Sequence, residues 1–193
     1  MKRTFITSCM LLLCSLCLQY AHAQGDQQEM MKAWQAYMTP GDVHKVLSTA
    51  DGNWTFEAST WMSPGAPPEK STGNATNKMI LGGRYQQSNY SGNMMGMPFE
   101  GQSIVGYDNA RKVVQSTWID NMGTGIMHLE GTVDHATKTM NLAGKMTDPM
   151  TGKEIEVKEK FTWIDNNTQR MEMYEIHDGK ETKTMEITFK RKM

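Results

Sequence analysis

From Asn53 to the end of the chain, apolar and polar residues alternate with period two, in runs of about ten residues. Successive side chains of an extended strand point to opposite faces, so this pattern specifies half-buried strands. The runs are punctuated by Pro64-Gly65 with Pro67-Pro68, Gly82-Gly83, Gly92-Asn93, Asp108-Asn109, Asn121-Met122-Gly123, Asp134-His135, Asp148-Pro149, Asn166-Asn167 and Asp178-Gly179. Each group tolerates left-handed dihedrals or bonds its own backbone locally, as turns require. About ten strands joined by hairpins follow. Hairpins make antiparallel pairs, and no helix-length segment intervenes to serve as the crossover a parallel sheet needs. Sequential strands in that number must hide their edges. Closure into an up-and-down barrel does so, with a two-sheet sandwich as the alternative. The expected class is therefore all-β: an antiparallel up-and-down barrel of about ten strands over residues 52–193, preceded by short N-terminal helices in 24–51.

Those helices are read from a different period. Met30, Trp34 and Tyr37 recur at helical spacing. Thr39-Pro40-Gly41-Asp42 predicts a second helix, with Thr39 as N-cap, Pro40 at its first position and Asp42 favouring the dipole. Val43, Val46 and Leu47 would be its buried side, and Asp51-Gly52 its end.

Residues 1–23 carry a third kind of pattern. Lys2 and Arg3 precede an apolar run from Phe5 to Leu18, which closes on Ala21-His22-Ala23. Cations, a short apolar core and small residues in that order make a secretory signal, with cleavage expected near Ala23 and the protein destined for the periplasm or the medium. The core is shorter than the roughly 20 apolar residues of a membrane span. Cys9, Cys14 and Cys17 all lie inside this segment. The mature chain is thus expected to lack a disulfide, a thiol nucleophile and a cysteine metal ligand. The whole chain has a formal net charge of −1, and losing Lys2 and Arg3 makes it more acidic. Its charges alternate, so no basic stripe is available to neutralise phosphates, and nucleic acid is not expected as a partner. No second apolar run of spanning length follows, so no membrane span is expected in the mature chain. Oligomeric state is not legible.

Strand parity gives an inner face. Ile155, Val157, Phe161 and Trp163 share one face, and Glu159 falls among them. Trp54, Phe56 and Ala58 align, as do Phe99, Gly101, Ser103, Val105 and Tyr107, and Met185, Ile187, Phe189 and Arg191. A short helix followed by Gly52-Asn53-Trp54 resembles the Gly-x-Trp signature of the calycin barrels, which include the lipocalins. That resemblance implies an arginine of the final strand packed across the tryptophan, a role Arg191 matches. A second resemblance spans about Val43 to Lys192. Leu81-Gly82-Gly83-Arg84, Pro98-Phe99-Glu100-Gly101, Gly106-Tyr107-Asp108, Thr117-Trp118-Ile119-Asp120, Asp178-Gly179 and Phe189-Lys190-Arg191-Lys192 are similar to the bacterial domain-of-unknown-function family 1579. It implies a single exported β domain, calycin-like, and no particular chemistry.

His44, His128, His135 and His177 have no ligand spacing such as His-x-His, so a zinc site is not expected. A haem barrel resembling the nitrobindins would need an inward histidine, for which His128 and His177 are the candidates, although parity turns His128 to solvent. Of 19 methionines, all but Met1 and Met10 follow the leader, and Met94-Met95-Gly96-Met97 forms a cluster. Thioethers bind Cu(I), but single methionines spread along strands suit a core that adapts to varied apolar ligands. No Gly-x-Ser-x-Gly elbow occurs. Glu159 and Glu175 are the carboxylates placed for acid–base work if both point inward; the competing reading pairs a buried carboxylate with Arg84 or Arg170. No catalytic residue, metal ligand or cofactor is assigned.

The reading these residues favour is non-catalytic binding of a small, partly apolar ligand in the barrel interior or mouth. Phe99, Tyr107, Trp118, Met127 and Trp163 would supply contact area, and Arg84 and Glu159 would orient the polar end. An interior filled by its own side chains is the competing picture. The alternatives in function are an exported enzyme using an inward carboxylate and an envelope scaffold that binds a protein through the Met94–Met97 loop or the Trp34 helix.

Overall fold

A computed structural model of the chain describes residues 25–193, so the leader reading lies outside the described residues. The chain divides into two units between Thr39 and Pro40. The first contains helix α1 (25–38). Met30, Met31, Trp34, Tyr37 and Met38 are exposed along it, with Trp34 and Tyr37 edge to face at 6.0 Å.

The second unit opens with α2 (Asp42–Ser48) and continues as ten strands: β1 (Gly52–Thr60), β2 (Glu69–Ile80), β3 (Tyr85–Met94), β4 (Met97–Asp108), β5 (Val113–Asp120), β6 (Met127–Asp134), β7 (Thr139–Thr147), β8 (Glu154–Asp165), β9 (Thr168–His177) and β10 (Lys180–Arg191). Each strand pairs with its sequence neighbour, and β1 pairs with β10 to close the barrel. All pairs are antiparallel, as the hairpin turns require; Met95-Gly96 and Asp178-Gly179 both place two consecutive residues at positive φ, the tight-turn geometry that matches strand twist.

The start of α2 differs from the sequence expectation. Its N-cap is Gly41, not Thr39. The Gly41 N–H donates to His44 Nδ1 at 3.0 Å, whereas the Thr39 hydroxyl is spent on the Gln35 carbonyl at 2.6 Å. An imidazole that accepts there must be neutral, and burial together with the nearby Arg84 charge lowers the His44 pKa. Val43, His44 and Leu47 are buried, and Val46 is half-buried.

This helix closes one end of the barrel, the base. Leu47 packs with Val105, Val114, Leu129, Met140, Leu142 and Val157 in one apolar cluster. Gln86 donates to the Leu47 carbonyl, Asn77 to the Ala50 carbonyl at 3.1 Å, and the Met79 N–H to Asp51 at 3.1 Å. A second cluster joins Trp54, Phe56, Ala58, Ala75 and Phe189. Trp54 is fully buried and donates Nε1–H to the Ala50 carbonyl at 2.8 Å. The Arg191 guanidinium lies over its ring at 4.2 Å and donates to the carbonyls of Asp51, Thr49 and Asn166. Gly52 is required here twice over. Its φ is +123°, and a Cβ would sit 3.0 Å from Arg191 Nη1.

The other end is the mouth, rimmed by the β1–β2, β3–β4, β5–β6, β7–β8 and β9–β10 connections. Here Gly101 makes room for Trp118. A Cβ on Gly101 would come within 2.6 Å of the indole and 3.1 Å of Phe99. Gly101→Ala is therefore expected to push the Trp118 ring aside at a cost of about 1–3 kcal/mol. A shifted tryptophan emission together with a lowered urea midpoint would reveal it; unchanged values for both would show that the ring has room to move.

Candidate functional site

Inward-facing residues differ around the barrel wall. On β7 and β8, Leu142 and Val157 point inward and are only 3% and 1% exposed. Yet Glu159, Phe161 and Trp163 on β8, Met171 and Met173 on β9, and Met185 and Ile187 on β10 are half-buried. Cross-strand register puts them on the same inner face: Glu159 opposite Met173, Phe161 opposite Met171, Met171 opposite Ile187, Met173 opposite Met185. This stretch of the inner wall is thus less completely covered than the stretch around Leu142 and Val157.

An aromatic chain crosses the interior beside it. Phe99 stacks on Trp118 at 6.3 Å, Trp118 meets Tyr90 at 5.1 Å, Tyr90 meets Phe189 at 6.2 Å, Phe189 meets Phe161 at 6.3 Å, and Phe161 meets Trp163 at 5.2 Å. These rings divide the interior and fill part of it. Trp118 Nε1 donates to Asp120 at 2.6 Å. Trp163 Nε1 is buried without a hydrogen-bond partner.

Glu159 is the chemically distinctive group. Between Val157 and Phe161 on β8, its carboxyl is pushed up to about 7 by burial, with no cation offsetting that effect. Among the described residues it takes part in no ion pair. Its charge reaches Tyr90 across the barrel: burial first, and then Glu159, push the phenol up to about 12, while hydrogen bonds with Ser88 and Ser103 act in the opposite direction. Glu175 has the same inward parity, opposite Val157, but is engaged at the mouth by His177 Nε2 at 2.9 Å.

The other residues expected at the site are placed unevenly. Trp118, Glu159 and Trp163 border the interior described above. Phe99 is buried behind Trp118. Tyr107 and Met127 are half-buried and pack against the base cluster, Tyr107 edge to face with His44 at 5.9 Å. Arg84 does not join them. It is exposed in the β2–β3 turn and donates to the Leu81 carbonyl at 3.1 Å, because the glycine-rich turn carries it past the end of the strand. The pairing of Glu159 with Arg84 or Arg170 is likewise absent; Arg170 is exposed on the outer face. Tyr90, Met171 and Met173 line the interior and carried no signal beyond parity. Two hollows, of about 660 and 450 Å³, have linings dominated by outward-facing residues: Ser59, Lys70 and Glu186 in one, Asn141, Lys158 and Lys160 in the other, which Glu159 and Leu142 also border. Among the described residues no cluster of histidine and carboxylate side chains is arranged to hold a metal.

The family described as "Protein of unknown function (DUF1579)" matches residues 39–191, and the chain belongs to that family. No curated protein matches the sequence. The crystal structure of Rv2717c from M. tuberculosis is similar, with a TM-score of 0.60 at 14% identity, covering 80% of this chain and 100% of that one. At that identity the likeness shows the fold alone. A protein of unknown function from Nostoc punctiforme, of the DUF3598 family, aligns at 6% identity over 79% of this chain and 100% of its own, with a TM-score of 0.22, which carries no argument.

Proposed function

We propose that this member of the DUF1579 family is a non-catalytic binding protein that holds a small, partly apolar ligand in a hollow against the β8–β10 wall. The observation that carries the reading is the set of inward side chains on β8, β9 and β10 that stay half-buried in a closed barrel. Thioethers and aromatic rings dominate that wall, and they adapt to apolar ligands of differing shape. Glu159 is the polar group placed to orient the ligand, with Trp118 on the opposite side. The leader pattern of residues 1–23 supports a site of action outside the cytoplasm.

A second reading draws on one specific observation. A carboxyl held near 7 in a half-enclosed site suits a general acid or base, so Glu159 would serve an exported enzyme equally well. Native mass spectrometry of the protein purified from its own host's envelope, compared with the denatured mass, tests the binding reading. The expected result is an added mass that disappears on denaturation and is absent from a Trp118→Ala, Met173→Ala double variant that still melts cooperatively. A wild-type mass identical in both states, together with no thermal shift from a broad lipid and metabolite panel, would overturn it.

A further inference from the structure

The interior has a sign. Along the ten strands between base and mouth, the inward positions carry no lysine or arginine. Arg191 is turned onto Trp54 at the base, and Lys180 stands exposed at the mouth, opposite His177 in register. The cations of β8 and β10 (Lys158, Lys160, Lys183) alternate with inward residues and lie on the outer wall, where Lys158 pairs with Glu181, and Lys183 with Glu172 at 2.7 Å and Glu186 at 2.8 Å. Inside, Asp120 is engaged by the Trp118 indole and by the Met122 N–H, and Glu175 by His177. Glu69 shares that parity, opposite Thr60, but stands exposed at the mouth; Glu159 is half-buried farther along the wall and has no such partner among the described residues.

Aromatic rings share the interior with that carboxyl: Phe161 two residues along its own strand, Tyr90 within reach of its charge, and Trp118 against Tyr90 at 5.1 Å. A ring face is negative at its centre and attracts a cation. A fatty acid or other organic anion would enter this site with two disadvantages. No inward guanidinium or ammonium would receive its carboxylate, and Glu159 would repel it or have to stay protonated. An ammonium group on an apolar chain meets the reverse: a carboxylate to pair with, π faces beside it and thioethers around its tail. Resting on the binding function proposed above, we infer that the ligand class is an organic cation with an apolar body, an amine or quaternary ammonium compound, held by Glu159 and the Tyr90 and Trp118 rings.

Three probes of one chain length separate head-group charge from apolar contact: decylamine, decanoate and decanol, each titrated into the full protein below its aggregation limit. Binding is read by calorimetry and by tryptophan emission. The expected result is decylamine bound about tenfold or more tightly than either other probe. In Glu159→Gln, of nearly the same shape, the three affinities should converge to within about twofold; Glu175→Gln, at the mouth, should leave the preference in place. Decanoate or decanol matching decylamine in the wild-type protein would overturn the cation assignment while leaving a binding interior intact. Binding of none of the three at any accessible concentration would overturn the binding function itself. The wild-type comparison decides the first question even if a variant fails to fold.

Discussion

Replacing Trp54 by alanine is expected to lower stability by about 3–5 kcal/mol, the cost of emptying a large aromatic site in a packed core. The indole is fully buried, donates to the Ala50 carbonyl and carries the Arg191 guanidinium on its other face. Removing it leaves a cavity, an Ala50 carbonyl that keeps only its bond from Asn77, and a guanidinium with no ring to cover. For a chain of this size the melting temperature should fall by roughly 10 °C. Arg191→Lys makes a useful companion. It keeps the charge but loses the planar fork that reaches the Thr49, Asp51 and Asn166 carbonyls together. Its expected loss is about 1–3 kcal/mol. Urea unfolding followed by tryptophan emission measures both; a loss below about 1 kcal/mol for Trp54→Ala would show that the base closes without this pair.

Raising the pH is the second large perturbation, and it acts through Glu159. Its carboxyl titrates at 4.5 when unperturbed and at about 7 inside the barrel. The folded state therefore holds a proton that the unfolded chain has released. That contribution is complete below about pH 4.5 and is lost as pH rises through about 7. The difference amounts to roughly 3 kcal/mol as a ceiling, which solvent screening of the charge reduces. His44 tilts stability the other way at the acid side. Its pKa is depressed from 6.5 by burial and then by Arg84, so its contribution is full above about 6.5 and is lost as pH falls through the lowered value. Glu159→Gln should abolish the decline between about pH 5 and 8 and should be the more stable protein at pH 8. Urea midpoints collected across that range give the answer, and a wild-type profile flat above pH 5 would place the Glu159 carboxyl in contact with bulk water.

Much of the architecture was legible because period two and hairpin turns are local signals. The ten-strand barrel and the inward parity of Glu159 among Val157, Phe161 and Trp163 followed from alternation and turns, and the Arg191–Trp54 closure from the resemblance to the calycin barrels. Three features did not. The inner face of β3 reads Gln86, Ser88, Tyr90, and its outer face begins with Tyr85, which lies against Gly106. Polarity does not tell those faces apart, so Tyr90 stayed hidden. Its contact with Phe189 joins β3 to β10, a neighbour relation that exists only once the sheet has closed. Arg84 was drawn to the interior by chemistry alone, whereas the two glycines before it extend the turn. The start of α2 moved for a local reason: a histidine side chain capped it in place of the hydroxyl that the usual rules favour.

The pairing of β1 with β10 has a consequence in time. Every other pair joins sequence neighbours and forms from a hairpin at low cost in loop entropy, but Trp54 must find Arg191 across nearly the whole domain. While the chain is still emerging from a ribosome, β1 to β9 have their turns, yet the sheet keeps two raw edges, each a template for pairing with another chain. The last strand is thus a latch, and the interval before it engages is when this protein is most exposed to aggregation.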